Sequence, residues 1–135
     1  MKRFFFVLVL ALITVSFLTA ASPVPNTTFD LMKELPTVMN VGDEVTVVVQ
    51  VTSDQEFISV TALPSFEYAG KGVVAVQGGD RAGRGTSATL ELTFKAKSST
   101  AKMANGVAPV HVVLGVRYRG GTVVVQEYIF NVTVP

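Results

Sequence analysis

A chain of 135 residues with no cysteine, one histidine, 16% charged residues and a formal net charge of +1 closes off several chemistries at once. Thiolate nucleophiles, iron–sulfur clusters and zinc knuckles need Cys, and multi-imidazole metal sites need more than one His. The near-neutral balance gives nucleic acid no basic field to bind.

Residues 1–21 read as an export signal. Lys2 and Arg3 precede an uncharged apolar run from Phe4 to Leu18, and the small residues Thr19, Ala20, Ala21 and Ser22 follow; this is the charged, apolar and small-residue order of a secretory leader. Pro23 and Pro25 would end a helix there. Cleavage after Ala20 or Ala21 is the expectation; the other reading is an uncleaved anchor, with residues 4–21 as the sole membrane contact. A lipoprotein is excluded because the junction has no Cys. Removing 21 residues leaves 114 and, with Lys2 and Arg3 gone, takes the charge from +1 to −1. That is one ordinary domain, which without disulfides must be stabilised by burial and sheet hydrogen bonding.

Residues 22–40 form a lead-in segment or an edge strand, with Pro23, Pro25 and Pro36 around an apolar patch at Phe29, Leu31 and Met32. The body of the domain, 41–135, is patterned with period two, the period of strands. Val41-Gly42-Asp43-Glu44 is a turn that launches Val45, Val47, Val49 and Val51 on one face. Ser53-Asp54-Gln55-Glu56 is expected to close that strand, and Phe57 to Leu63 to supply the next before Pro64. Ser65 to Gly85 is Gly-rich, with a strand expected at Val73 to Gln77 and an exposed loop from Gly78 to Gly85. Ala88, Leu90, Leu92, Phe94 and Ala96 alternate with Thr89, Glu91, Thr93 and Lys95, as a half-buried antiparallel strand does. After a polar break at Ser98 to Gly106, Val110, Val112, Leu114, Val116 and Tyr118 make another inward row. Gly120-Gly121 suits a tight hairpin. In the last strand, Val123 and Val125 are odd-numbered while Tyr128, Phe130, Val132 and Val134 are even; a bulge near Gln126-Glu127 would keep one face buried.

About seven strands with short turn-rich connections and no crossover helix predict an all-β fold, an antiparallel immunoglobulin-like β-sandwich preceded by the signal helix. A closed barrel is the lesser alternative. Three stretches carry a resemblance: Val41-Gly42-Asp43-Glu44-Val45-Thr46-Val47, Gly85 to Phe94, and Gly106 to Tyr118 followed by Gly120-Gly121-Thr122 and Tyr128 to Val134. In this order they resemble the immunoglobulin-like modules of bacterial and archaeal surface proteins, of the CARDB-like and S-layer-associated type. Val41 stands where such modules carry Pro. The resemblance implies an extracellular structural or binding module with no catalytic residues to carry over.

The chemistry-bearing residues read as structural. His111 falls on the outward parity of its strand with Arg117, as a solvent-facing histidine. Asp43-Glu44 and Asp54/Glu56 sit at opposite ends of one predicted strand, roughly 30–40 Å apart at ~3.3 Å per residue, so they cannot form one site. Calcium held with help from Asp80 is less economical than turn-forming acids. Gly78 to Gly85 lacks the Lys-Ser/Thr ending and following helix of a phosphate cradle. Neither a metal nor a cofactor is expected. Asn26-Thr27-Thr28 and Asn131-Val132-Thr133 are glycosylation sequons at Asn26 and Asn131, and Phe66, Tyr68, Arg81 and Arg84 are candidate contact-loop residues.

The function expected is therefore that of a non-enzymatic, exported surface module, extracellular or in the cell envelope. Its role is structural, adhesive or protein-binding, with envelope proteins or further copies of itself as partners. The alternative is a self-assembling filament or lattice subunit that adds residues 22–40 to a neighbour's sheet edge. An enzyme or a loop-inserting inhibitor is the third class.

Overall fold

Alternating valines build the spine of the sheet, strand β2 (Glu44–Pro64). The computed structural model describes residues 24–64, 74–76 and 78–135; the expected signal helix at 1–21, and Phe66 and Tyr68, lie outside the described residues. Around β2 are arranged β1 (Thr27–Lys33), β3 (Val74–Val76), β4 (Asp80–Ala82), β5 (Gly85–Ala96), β6 (Ala108–Tyr118) and β7 (Val123–Val132). Among the described residues all the pairings between these strands are antiparallel.

β2 is one strand where the sequence suggested two. Thr52 pairs with Ser87 and Phe57 with Gly85, so Ser53–Glu56 bulge opposite the single residue Thr86. The buried parity survives this bulge, from Val47, Val49 and Val51 to Phe57, and changes at a second irregularity between Phe57 and Ser59 in the ladder to β6, after which Val60 and Ala62 are buried, as a bulge of one residue requires. Polar residues tolerate the bend because they replace lost ladder bonds. Asp54 Oδ1 accepts from the Asn26 N–H (2.8 Å), and Ser53 Oγ accepts from the Gln55 N–H (3.2 Å). A run that looked like a terminator is thus a bulge within a continuous strand.

The bulge divides β2 between two sets of neighbours. Its first half pairs with β1 and β5, its second half with β4 and β6. β3 extends the sheet beyond β5 and β7 beyond β6. The result is a curled antiparallel sheet whose halves run β1-β2-β5-β3 and β4-β2-β6-β7. In this order β1, the two halves of β2, β3, β5, β6 and β7 take the places of strands A to G of an immunoglobulin-like sandwich. The path β3-β5-β2-β6-β7 ends on different strands, so among the described residues it is not the closed barrel. The stretch expected as loop from Gly78 to Gly85 contains β4, which continues the line of β5 along β2.

Inward side chains from both halves form one buried cluster that includes Val49, Phe57, Leu90, Phe94, Val112, Leu114 and Val116. Burying each such side chain contributes about 1.5–3 kcal/mol. The residues after β1 complete it: Leu35 and Met39 are buried, and Val38 makes a parallel bridge to Thr133. Thr100, the one buried polar residue among the described residues, accepts from the Val134 N–H (2.9 Å) and donates toward the Gly106 and Val134 carbonyls (2.7 and 3.1 Å). It ties the polar break of the sequence to the end of the chain's last strand.

Candidate interaction surface

The bulge expected at Gln126-Glu127 is absent. β6 and β7 pair without interruption from Ala108↔Val132 to Arg117↔Val123, so one parity holds along the whole strand. Phe130 and Val132 are buried, whereas Val123, Val125 and Ile129 are 55%, 61% and 56% exposed. The change of apolar parity in the sequence marks a strand that is apolar on both faces. That residue row was missed, although three consecutive valines at 123–125 were its visible signal.

Among the described residues β7 also ends the sheet path, and its register shows which backbone groups face outward. Tyr118 N–H donates to the Thr122 carbonyl (2.8 Å) at the hairpin. Because exchanged pairs alternate along an antiparallel ladder, the even residues Val124 to Val132 bond to β6. The odd residues direct N–H and C=O away from it. Thr133 confirms this parity: its N–H donates to the Thr37 carbonyl (2.8 Å) and its carbonyl accepts from the Met39 N–H (3.0 Å). The outward edge therefore runs from Val123 to Asn131, bounded by the Gly120-Gly121 turn and by the segment crossing at Thr37–Met39. Gln126 laps over it, with Nε2 donating to the Glu127 carbonyl (3.1 Å).

Only one side chain on β7 is charged, Glu127, and its Oε1 lies 2.6 Å from His111 Nδ1. The His111 side chain is only 13% exposed, so it is a partly buried cross-strand partner and not the solvent-facing residue expected from parity. Edges are usually guarded by charge, proline or bulges; β7 between residues 123 and 131 has no proline, no bulge and one paired charge. On the same outer face, Leu63 and Val113 stand in register with Glu127, and Gly115 with Val125. Leu63 is 53% exposed.

The other candidate residues are dispersed. Asn26 and Asn131 are both exposed, Asn131 on the rim of a hollow of about 560 Å³ with Met103, Asn105, Val107 and Pro109. Arg84 borders a smaller hollow of about 200 Å³ with Glu56, Phe57, Ile58 and Arg119. Arg81 is exposed on β4. The acids serve the backbone: Asp43 Oδ2 accepts from the Asn40 N–H (2.9 Å), and Asp80 accepts from the Arg81 and Glu91 N–H groups (2.8 and 2.7 Å). Among the described residues no three acids or histidines gather as a metal site. The Tyr128 hydroxyl is held above its ordinary pKa by burial and then by the negative charge of Asp30; its ring stacks with Phe130 at 6.3 Å between centroids.

No family model matches the chain, and no curated protein matches it. Among solved structures it has a partial likeness to native α2-macroglobulin of Escherichia coli, at 17% identity and a TM-score of 0.46, over 85% of this chain and 7% of that one. The portion of the same protein from domain MG7 to its C-terminus gives 16% identity and a TM-score of 0.47, over 85% and 17%. The sporulation control protein Spo0M of Bacillus subtilis gives 17% and 0.37, over 84% and 50%. The chain thus spans a small part of the macroglobulin and half of Spo0M, and the fold rests on its own strand pairing.

Proposed function

We propose that the protein is an exported, non-enzymatic immunoglobulin-like module that works through its surface in the cell envelope, in a structural, adhesive or protein-binding role like that of CARDB-like and S-layer-associated modules. The observation that carries this reading is the β7 edge: outward backbone groups from Val123 to Asn131, flanked by an exposed apolar row. An edge of this kind is the receptor for an added strand. The leader at 1–21 supports delivery to the envelope.

Strand addition by residues 22–40 is the less economical route to assembly. Those residues have partners in their own chain: β1 pairs with β2, the Asp54 N–H donates to the Asn26 carbonyl (3.2 Å), and Leu35 and Met39 fill the core. Donating them elsewhere would empty that space.

A photo-crosslinking residue at Val125, in cells producing the full chain, tests the proposal. Fractionation should place the protein outside the cytoplasm, and crosslinks should form at Val125 and not at exposed Thr89 of β5. A cytoplasmic protein, or a catalytic turnover abolished by one substitution, would overturn it.

A further inference from the structure

We infer that the occupant of the β7 edge is the β7 edge of a second copy, paired antiparallel about a two-fold axis at Gln126. The inference rests on the reading above only in taking β7 as the working surface.

Outward groups sit on odd residues in both copies, so a two-fold pairing must match odd with odd, and few registers are open. With the axis at Gln126, Val123 faces Ile129 of the second copy and Val125 faces its Glu127, each twice. Both exposed apolar residues at the ends gain apolar partners, and no like charges oppose. Moving the axis to residue 127 sets Glu127 against itself, which is destabilising. Moving it to residue 125 leaves Ile129 opposite Gly121 in the turn. The same axis places Gln126 beside Gln126 as a non-hydrogen-bonded pair, where the two amides can exchange hydrogen bonds and release the Glu127 carbonyl, now held by Nε2 at 3.1 Å, to the new ladder.

Charge is arranged to suit. Arg117, exposed and in register with Val123, comes in line with Ile129 of the second copy. The Glu127 beside that residue is then about two strand spacings across and two residues along, on the order of 12 Å between Cα atoms, a gap that an arginine and a glutamate span together. The pairing engages roughly seven residues a side, fewer than the ~20–30 of a standard interface. The dimer is accordingly weak and concentration-dependent unless copies are held together on a surface.

The chain has no Cys, so a single introduced thiol reports the register. Protein produced from the full-length chain with Gln126→Cys should form an intermolecular disulfide at least about tenfold faster than Val124→Cys, because facing non-hydrogen-bonded residues lie within disulfide range (Cα atoms about 4.5 Å apart) while Val124 faces Tyr128. Adding Val125→Pro removes an outward N–H without touching the β6 ladder, and should suppress that disulfide. Ile129→Lys in the same background tests the apolar pair should the proline variant fail to fold. Equal rates at 124 and 126, a disulfide unaffected by both second-site changes, or preferential coupling through Leu63→Cys on the sheet face would overturn the inference. Loss of the dimer with Val125 crosslinks to envelope proteins retained would sink this pairing and leave the surface role standing.

Discussion

Tyr118 is the joint of the fold, and Tyr118→Phe tests whether the two halves of the sheet are coupled through it. Its ring is 3% exposed, and its hydroxyl lies 2.6 Å from Thr27 Oγ1 and 2.7 Å from Ser53 Oγ. One atom thereby links β6, β1 and the β2 bulge where the strand changes partners. Phenylalanine keeps the ring and removes only the two hydrogen bonds. At about 0.5–1.5 kcal/mol net for each, the loss is about 1–3 kcal/mol, a fall in melting temperature of about 4–12 °C at roughly 4 °C per kcal/mol. Urea unfolding of wild type, Tyr118→Phe, Thr27→Val and the double variant gives the pairwise term directly, and it should be about 0.5–1.5 kcal/mol. Ser53 retains the Gln55 N–H, so its coupling should be the smaller. Additivity of the Thr27 and Tyr118 changes to within about 0.3 kcal/mol would refute the joint.

Thr100→Val should cost about 1–3 kcal/mol in the same urea assay, because the buried Val134 N–H loses its hydroxyl acceptor; Thr100→Ser should retain most of that. Gly120→Ala should destabilise by about 1–2 kcal/mol, because φ is +94° there and the space around it is open, so the cost is backbone strain alone. Gly115→Ala, also in open space but at an ordinary φ, should be neutral or stabilising by thermal melting. Burial and Asp30 make the folded state hold the Tyr128 proton more tightly than the unfolded chain does. That contribution is complete below the unfolded value of about 10 and lost as pH rises through the folded one. Tyr128→Phe should therefore flatten the alkaline decline of the urea midpoint, and an unchanged decline would contradict it.

The strands whose alternation serves a single buried face were legible. Leu90, Leu92 and Phe94 in β5, and Val110, Val112, Leu114, Val116 and Tyr118 in β6, lie inward as their parity requires. Where both faces of a strand meet apolar needs, parity misleads: Val123 and Val125 implied a bulge because an exposed valine is not distinguishable, by type, from a buried one. The polar run Ser53–Glu56 looked like a terminator because its side chains favour turns; its capacity to replace ladder bonds at a bulge depends on Tyr118 and Asn26, which are distant in sequence. Thr100 gave no local signal, since its partner Val134 is separated from it by the whole β6–β7 hairpin. The β7 edge was hidden for the same reason, because edge or interior is decided by which strands pair and not by the strand's own residues.

Amide hydrogen exchange along β7, resolved residue by residue at low and high protein concentration, measures the state of this edge directly. In dilute protein the N–H groups of Val124, Gln126, Tyr128 and Phe130 should be protected, together with Thr133, while those of Val123, Val125, Glu127 and Ile129 exchange freely. Raising the concentration should slow this second set selectively. Uniform protection of odd and even amides in dilute protein, or odd amides that stay unprotected at every concentration, would contradict a β7 edge that is open in the single chain and closed by a second copy.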